Sequence, residues 1–117
     1  MKGDESVSDL PMMTEVLKVT SPKEGDLLSS RSPYEITWQT NKALTSVASI
    51  RLFYSKDGGV VWLSITPPLK GDPGRYVWRV PTVAIPKTRC KVKVVLKDAN
   101  NNILGSDVSD GYFTITP

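Results

Sequence analysis

From Leu17 to Ile115, apolar and polar residues alternate with a period of two in segment after segment, and no long stretch repeats at the helical period. Such alternation belongs to strands with one face buried and the other in water. Residues Tyr34 to Thr40 set Tyr34, Ile36 and Trp38 against Glu35, Thr37 and Gln39. Residues Ala48 to Ser55 set Ile50, Leu52 and Tyr54 against Arg51, Phe53 and Ser55, and Arg75 to Pro81 turn Tyr76, Trp78 and Val80 inward. In Arg89 to Lys97 the inner set is Cys90, Val92, Val94 and Leu96, while Lys91 and Lys93 point to water. Further strands are predicted at Glu15 to Thr20, along a short edge at Asp26 to Ser29, at Val60 to Ile65, briefly at Ile103 and Leu104, and at Tyr112 to Thr116.

The pattern predicts an all-β chain: an immunoglobulin/fibronectin type III-like antiparallel β-sandwich of about seven strands. Trp38, Trp62 and Trp78 fall on three different predicted strands, and indoles are large enough to fill the space between two sheets. At 117 residues the chain is one domain's worth, able to bury roughly two-thirds of its unfolded surface. Residues 1–13 read as a flexible leader and residues 14–117 as the single sandwich. A composition of 39% hydrophobic and 23% charged residues suits a folded domain rather than a disordered one. No apolar run is long enough to cross a bilayer as a helix, and direct membrane insertion is not expected.

The stretch Tyr54-Ser55-Lys56-Asp57-Gly58-Gly59-Val60-Val61-Trp62 resembles the Asp-box of sialidases, a polar turn pinned between two strands with a Trp behind it. In propellers such boxes recur, but here no second copy and no internal repeat is present, and the chain is too short for even a four-bladed propeller. The stretch is read as the tight turn of one hairpin, with Asp57-Gly58-Gly59 between the flanking strands and Gly supplying positive φ.

Few residues offer chemistry. There is no His, which removes Ser-His and Cys-His catalysis and most zinc sites, and the lone Cys90 reads as a buried structural thiol. Asp107 and Asp110 lie close in sequence, as paired carboxylates would, but read as a solvated turn. A calcium site is a candidate at Asp98, Asn100, Asn102, Asp107 and Asp110, hard oxygen ligands in a short span, although the spacing lacks the Gly and Glu of an EF-hand loop. No catalytic residue and no cofactor is expected.

The net charge is +3, and five basic residues crowd into Lys87 to Lys97. The plain reading is a solvated strand face. The sharper one is a ligand-binding face of Arg51, Phe53, Lys91 and Lys93, which could hold an acidic polysaccharide. Glycan stacking would use Phe53 and whichever of Tyr34, Trp62 and Tyr112 escapes burial. Nucleic acid is not expected, because on this reading only Phe53 interleaves with the cations.

Taken in order, Leu17-Lys18-Val19-Thr20-Ser21-Pro22 with Gly25, Ile36-Thr37-Trp38, Ser55-Lys56-Asp57-Gly58-Gly59 with Trp62, Gly74-Arg75-Tyr76-Val77-Trp78-Arg79-Val80-Pro81, and Ser109-Asp110-Gly111-Tyr112-Phe113-Thr114-Ile115 form a recognisable series. The series resembles the Ig-like domain of the Ser-Thr-rich glycosylphosphatidylinositol-anchored membrane family. Members include yeast cell-wall glucan-assembly proteins and bacterial and archaeal surface proteins. The resemblance covers about residues 16–116. It implies a non-catalytic structural or interaction module of a larger cell-surface or secreted protein, with neighbouring domains, other proteins or glycans as partners. Trp38, Trp62, Trp78, Pro81 and Phe113 match as core and turn residues. No Ser/Thr-rich tail or anchor signal is present, so membrane attachment is not among the implications.

Overall fold

The computed structural model describes residues 16–41 and 46–117. The leader expected at residues 1–13 and the predicted strand's first residue, Glu15, lie outside the described residues. Among the described residues every regular element is a strand: β1 (Leu17–Ser21), β2 (Leu27–Ser29), β3 (Pro33–Thr40), β4 (Ser49–Ser55), β5 (Leu63–Ser64), β6 (Leu69–Lys70), β7 (Arg75–Arg79), β8 (Lys87–Lys97), β9 (Ile103–Val108) and β10 (Phe113–Thr116). They make two sheets. The smaller has the order β1-β3-β7, and the larger runs β2-β10-β8-β4-β5, with β9 also on β8 and β6 also on β4.

The eleven-residue β8 is the axis of the larger sheet. One edge pairs with β4 from Ser49 opposite Lys97 to Ser55 opposite Lys91. The other is shared, with β10 placing Phe113 opposite Cys90 and β9 running antiparallel from Ile103 at Lys97 to Val108 at Lys93. β10 then pairs in parallel with β2 through Leu27–Thr114, Leu28–Ile115 and Ser29–Thr116.

The alternation is realised where the two sheets face each other. Ile36, Ile50, Leu52, Val92, Val94, Leu96, Phe113 and Ile115 are at most 1% exposed, so the space between the layers is filled by side chains. Trp38 and Trp78 are part of this core. The Trp38 indole N–H donates to Asp72 Oδ1 at 2.9 Å, and Trp78 packs at a tilt against Tyr54 with centroids 5.2 Å apart. Cys90 is fully buried, its thiol donating to the Lys87 carbonyl at 3.3 Å, and burial pushes its pKa up. A neutral thiol in that setting is packing material.

Four expectations need correction. Trp62 does not join the core; it is half-buried, outside the sandwich, in the loop ahead of β5. The stretch from Val60 to Ile65 is a strand only at Leu63–Ser64, because Asp57 takes up the backbone N–H groups of Val60 and Val61 that a ladder would use. The hairpin is therefore a wide loop rather than a tight turn. Conversely, β9 is six residues long, although Gly105, Ser106 and Asp107 are poor strand formers. Pairing with β8 holds it. At Gly105 a side chain would meet Val16 at 3.2 Å, so the glycine lets the strand approach the other sheet.

Candidate functional site

The outward residues of β4 and β8, with the loop between β4 and β5 and the residue preceding β10, form one surface. Register puts Phe53 directly opposite Lys93 and Arg51 opposite Val95. The Arg51 guanidinium lies 5.2 Å and the Lys93 ammonium 5.4 Å from the centre of the Phe53 ring. Lys93 also stands over Trp62 at 4.6 Å. Two residues back along β8, Lys91 is 5.1 Å from the centre of the Tyr112 ring, and Arg89 completes the row at 5.4 Å from the same ring. Four cations and three aromatic rings thus interleave, which corrects the expectation that Phe53 alone would do so, and all lie within the range in which a ring quadrupole attracts a cation.

The loop that delivers Trp62 is built by one carboxylate. Asp57 Oδ1 accepts from the Ser55 hydroxyl at 2.7 Å and from the backbone N–H groups of Val60 and Val61 at 3.2 and 3.0 Å. Ser55, which alternation sets on the outward side with Arg51 and Phe53, is instead fully buried where the loop folds over it, and its Oγ accepts in turn from Gly59 N at 2.9 Å. These bonds hold the Asp57 carboxyl below its ordinary value, the Val61 N–H contributing most. Gly58 and Gly59 have φ of +77° and +97°, and Gly58 N donates to the Arg89 carbonyl at 2.8 Å, which sews the loop onto β8. A side chain at Gly58 would collide with the Arg89 guanidinium at 2.8 Å.

Charge balance on this face is one-sided. Among the described residues no carboxylate forms an ion pair with Arg51, Arg89, Lys91 or Lys93; Asp57 and Asp110 act on Arg89 and Lys91 only through the longer-range field. Arg89 Nη2 donates to the Tyr112 hydroxyl at 3.5 Å, and this bond, followed by the guanidinium charge, holds the Tyr112 phenol below its usual value. Arg51 Nε is buried without a hydrogen-bond partner among the described residues.

The four residues singled out from sequence, Arg51, Phe53, Lys91 and Lys93, are therefore brought together. Trp62 and Tyr112, expected as stacking rings only if they escaped burial, both join the set, and Arg89 was missed as a member of it. Arg89 shares the parity of Lys91 and Lys93, and Tyr112 precedes the inward Phe113, so alternation could have found both. Tyr34 does not contribute a ring: it is half-buried and its hydroxyl donates to Asp26 Oδ2 at 2.8 Å, its pKa pushed up to about 12 chiefly by burial.

The calcium candidates are not brought together. Asp98 closes the β8–β9 turn, Oδ1 accepting from the N–H groups of Asn100 and Asn102 at 2.9 Å each and Oδ2 from the Asn102 amide at 3.3 Å. Asp107 and Asp110 lie at the far end of β9. There Asp107 Oδ2 accepts from Val19 N at 2.8 Å, tying β9 to the smaller sheet, and Asp110 pairs with Lys18 at 2.8 Å. Among the described residues no three His, Cys, Asp or Glu side chains converge as a metal site. A concavity of about 490 Å³ beside β1 is lined by Thr20, Pro22, Glu24 and the paired Lys18 and Asp110.

The sequence matches no protein-family model and no curated protein. Among solved structures, the chain is similar to the fibronectin(III)-like modules of Clostridium thermocellum CbhA, with a TM-score of 0.55 and 16% identity over 86% of this chain and 93% of that one. At that identity the likeness shows the fold, an immunoglobulin/fibronectin(III)-like β-sandwich, and not a shared activity.

Proposed function

We propose that the chain is a non-catalytic structural and interaction module of a larger cell-surface or secreted protein, of the Ser-Thr-rich glycosylphosphatidylinositol-anchored Ig-like type. The observation that carries this reading is the closed interior. Side chains from both layers fill the middle, and three of the described carboxylates are spent on architecture: Asp57, Asp98 and Asp107 each hold backbone N–H groups. The order of motifs from Leu17 to Ile115 supports the family, and the fibronectin(III)-like neighbour, itself described as modules, supports the modular setting. The test is an immunoblot of the source cells with antibody against this chain. A band longer than 117 residues, removed when intact cells are treated with protease, is expected. A free 117-residue protein confined to the cytosol refutes the proposal.

A second reading is favoured by the cation–aromatic face: association with a glycan. Partly exposed rings and cations along one outer sheet face suit a polysaccharide better than a small molecule, which would require a concavity.

A further inference from the structure

We propose that the β4–β8 face binds a linear polyanionic glycan, one carrying carboxylate or sulfate groups, through Arg51, Lys93, Lys91 and Arg89, and that Phe53, Trp62 and Tyr112 position these cations rather than stack on sugars. The proposal rests on the glycan reading above and decides its chemistry. Phe53 has both Arg51 and Lys93 over its ring, and Tyr112 has both Arg89 and Lys91. A neutral sugar stacking on either ring must first displace a cation that the ring quadrupole attracts. An anion need displace nothing, because it meets the cations from the solvent side.

The same contacts lower the cost of binding. Free Lys and Arg side chains lose considerable rotamer freedom when an anion fixes them. Here the rings already restrict where the charged ends sit. Geometry favours a linear ligand. Arg89, Lys91 and Lys93 are successive outward residues of one strand, spaced roughly 7 Å apart by the strand rise, and Lys97 continues the row beyond Val95. Arg51, diagonal to Lys93 on β4, widens it at one end. A polymer with a charge on successive units can contact this row repeatedly along its length.

A nucleic acid is the less favoured polyanion. Single strands need open ring faces for their bases, and duplexes need an element that enters a groove; this face is built of strands whose rings are already attended by cations.

The test is amide chemical-shift mapping of the full chain against four probes: an oligogalacturonate, a heparin fragment, a neutral β-glucan oligosaccharide and an oligothymidylate. The expected result is shifts at Arg51, Phe53, Lys91, Lys93 and Tyr112 with one or both acidic glycans. Comparing those two separates carboxylate from sulfate as the preferred group. Binding should weaken as added salt shortens the Debye length from about 10 Å at 0.1 M to about 3 Å at 1 M. Lys93→Gln and Lys91→Gln should each weaken binding roughly threefold, the scale of an exposed ion contact. Phe53→Leu, which removes no charge, should weaken it roughly twofold through the loosened cations. If the neutral oligosaccharide binds as well as the acidic ones, the glycan reading survives and this inference falls. No shift with any glycan sinks both. Tighter binding of the oligothymidylate at the same residues assigns the face to nucleic acid and overturns the inference. The mapping uses the unaltered chain, so a variant that fails to fold leaves the test intact.

Discussion

On the outer face of the β1-β3-β7 sheet, polar groups satisfy one another. The hydroxyls of Thr20 and Ser21 meet that of Thr37 at 2.6 and 2.7 Å, Ser21 donates to the Glu35 carbonyl, Arg75 lies near Glu35, and Arg79 donates to the Arg31 carbonyl. On the outer face of the larger sheet the cations form no ion pair with a carboxylate among the described residues and lean on rings instead. Both faces come from the same period-two pattern. The difference teaches that alternation decides which side chains are outside, whereas the partners available across the sheet decide whether that outside is self-contained or left with charge to spare.

The contrast is sharpest for the indoles, and it can be tested there first. Trp38→Ala or Trp78→Ala should cost about 3–5 kcal/mol, as for large aromatics removed from a packed core, whereas Trp62→Ala on the charged face should cost under about 1 kcal/mol. Urea unfolding of the three variants measures both; equal losses would place Trp62 back in the core. Ser55→Ala comes next. It strands the Gly59 N–H and loosens the loop that carries Trp62, for a loss of about 1–2 kcal/mol by the same measurement.

High pH separates the two tyrosines attached to these regions. Tyr34 has its folded pKa raised, to about 12, so its contribution is complete below the unfolded value near 10 and is lost as pH climbs from about 10 to 12. Tyr112 is shifted the other way and ionises first. A phenolate absorbance titration should show Tyr112 titrating before any unfolding and Tyr34 only with it. Tyr112→Phe removes the early step if this assignment holds. Smaller still is Glu35→Gln on the self-contained face. Exposed ion pairs contribute little, so stability should change by less than about 0.5 kcal/mol, and binding of an acidic glycan should stay the same where Lys93→Gln weakens it. Finally, calcium followed by chelator should leave the Tm unmoved, because Asp98 is committed to its own turn and Asp107 and Asp110 sit a strand away.

Much of this was legible beforehand because burial period is a local property. The inward sets of β3, β4, β7 and β8 follow from alternation alone, and so do Arg51, Phe53, Lys91 and Lys93 as neighbours once β4 and β8 pair. What was not legible depends on long-range register or on side chains competing for backbone. Val60-Val61-Trp62 has strong strand propensity, yet Asp57 intercepts its N–H groups and turns it into loop. Arg89 meets Tyr112 only because β10 docks on one particular end of β8. The acidic and amide residues from Asp98 to Asp110 look like a cluster in sequence, but the intervening six-residue β9 carries the last two away from the first three.

The parallel pairing of β2 with β10 bears on how the domain would respond to load. Tension drawn backward through β2 and forward through β10 acts along the two strands in opposite senses, so Leu27–Thr114, Leu28–Ile115 and Ser29–Thr116 are sheared together rather than opened one at a time like a zipper. Under tension applied in that way the patch would part only after its rungs broke in concert.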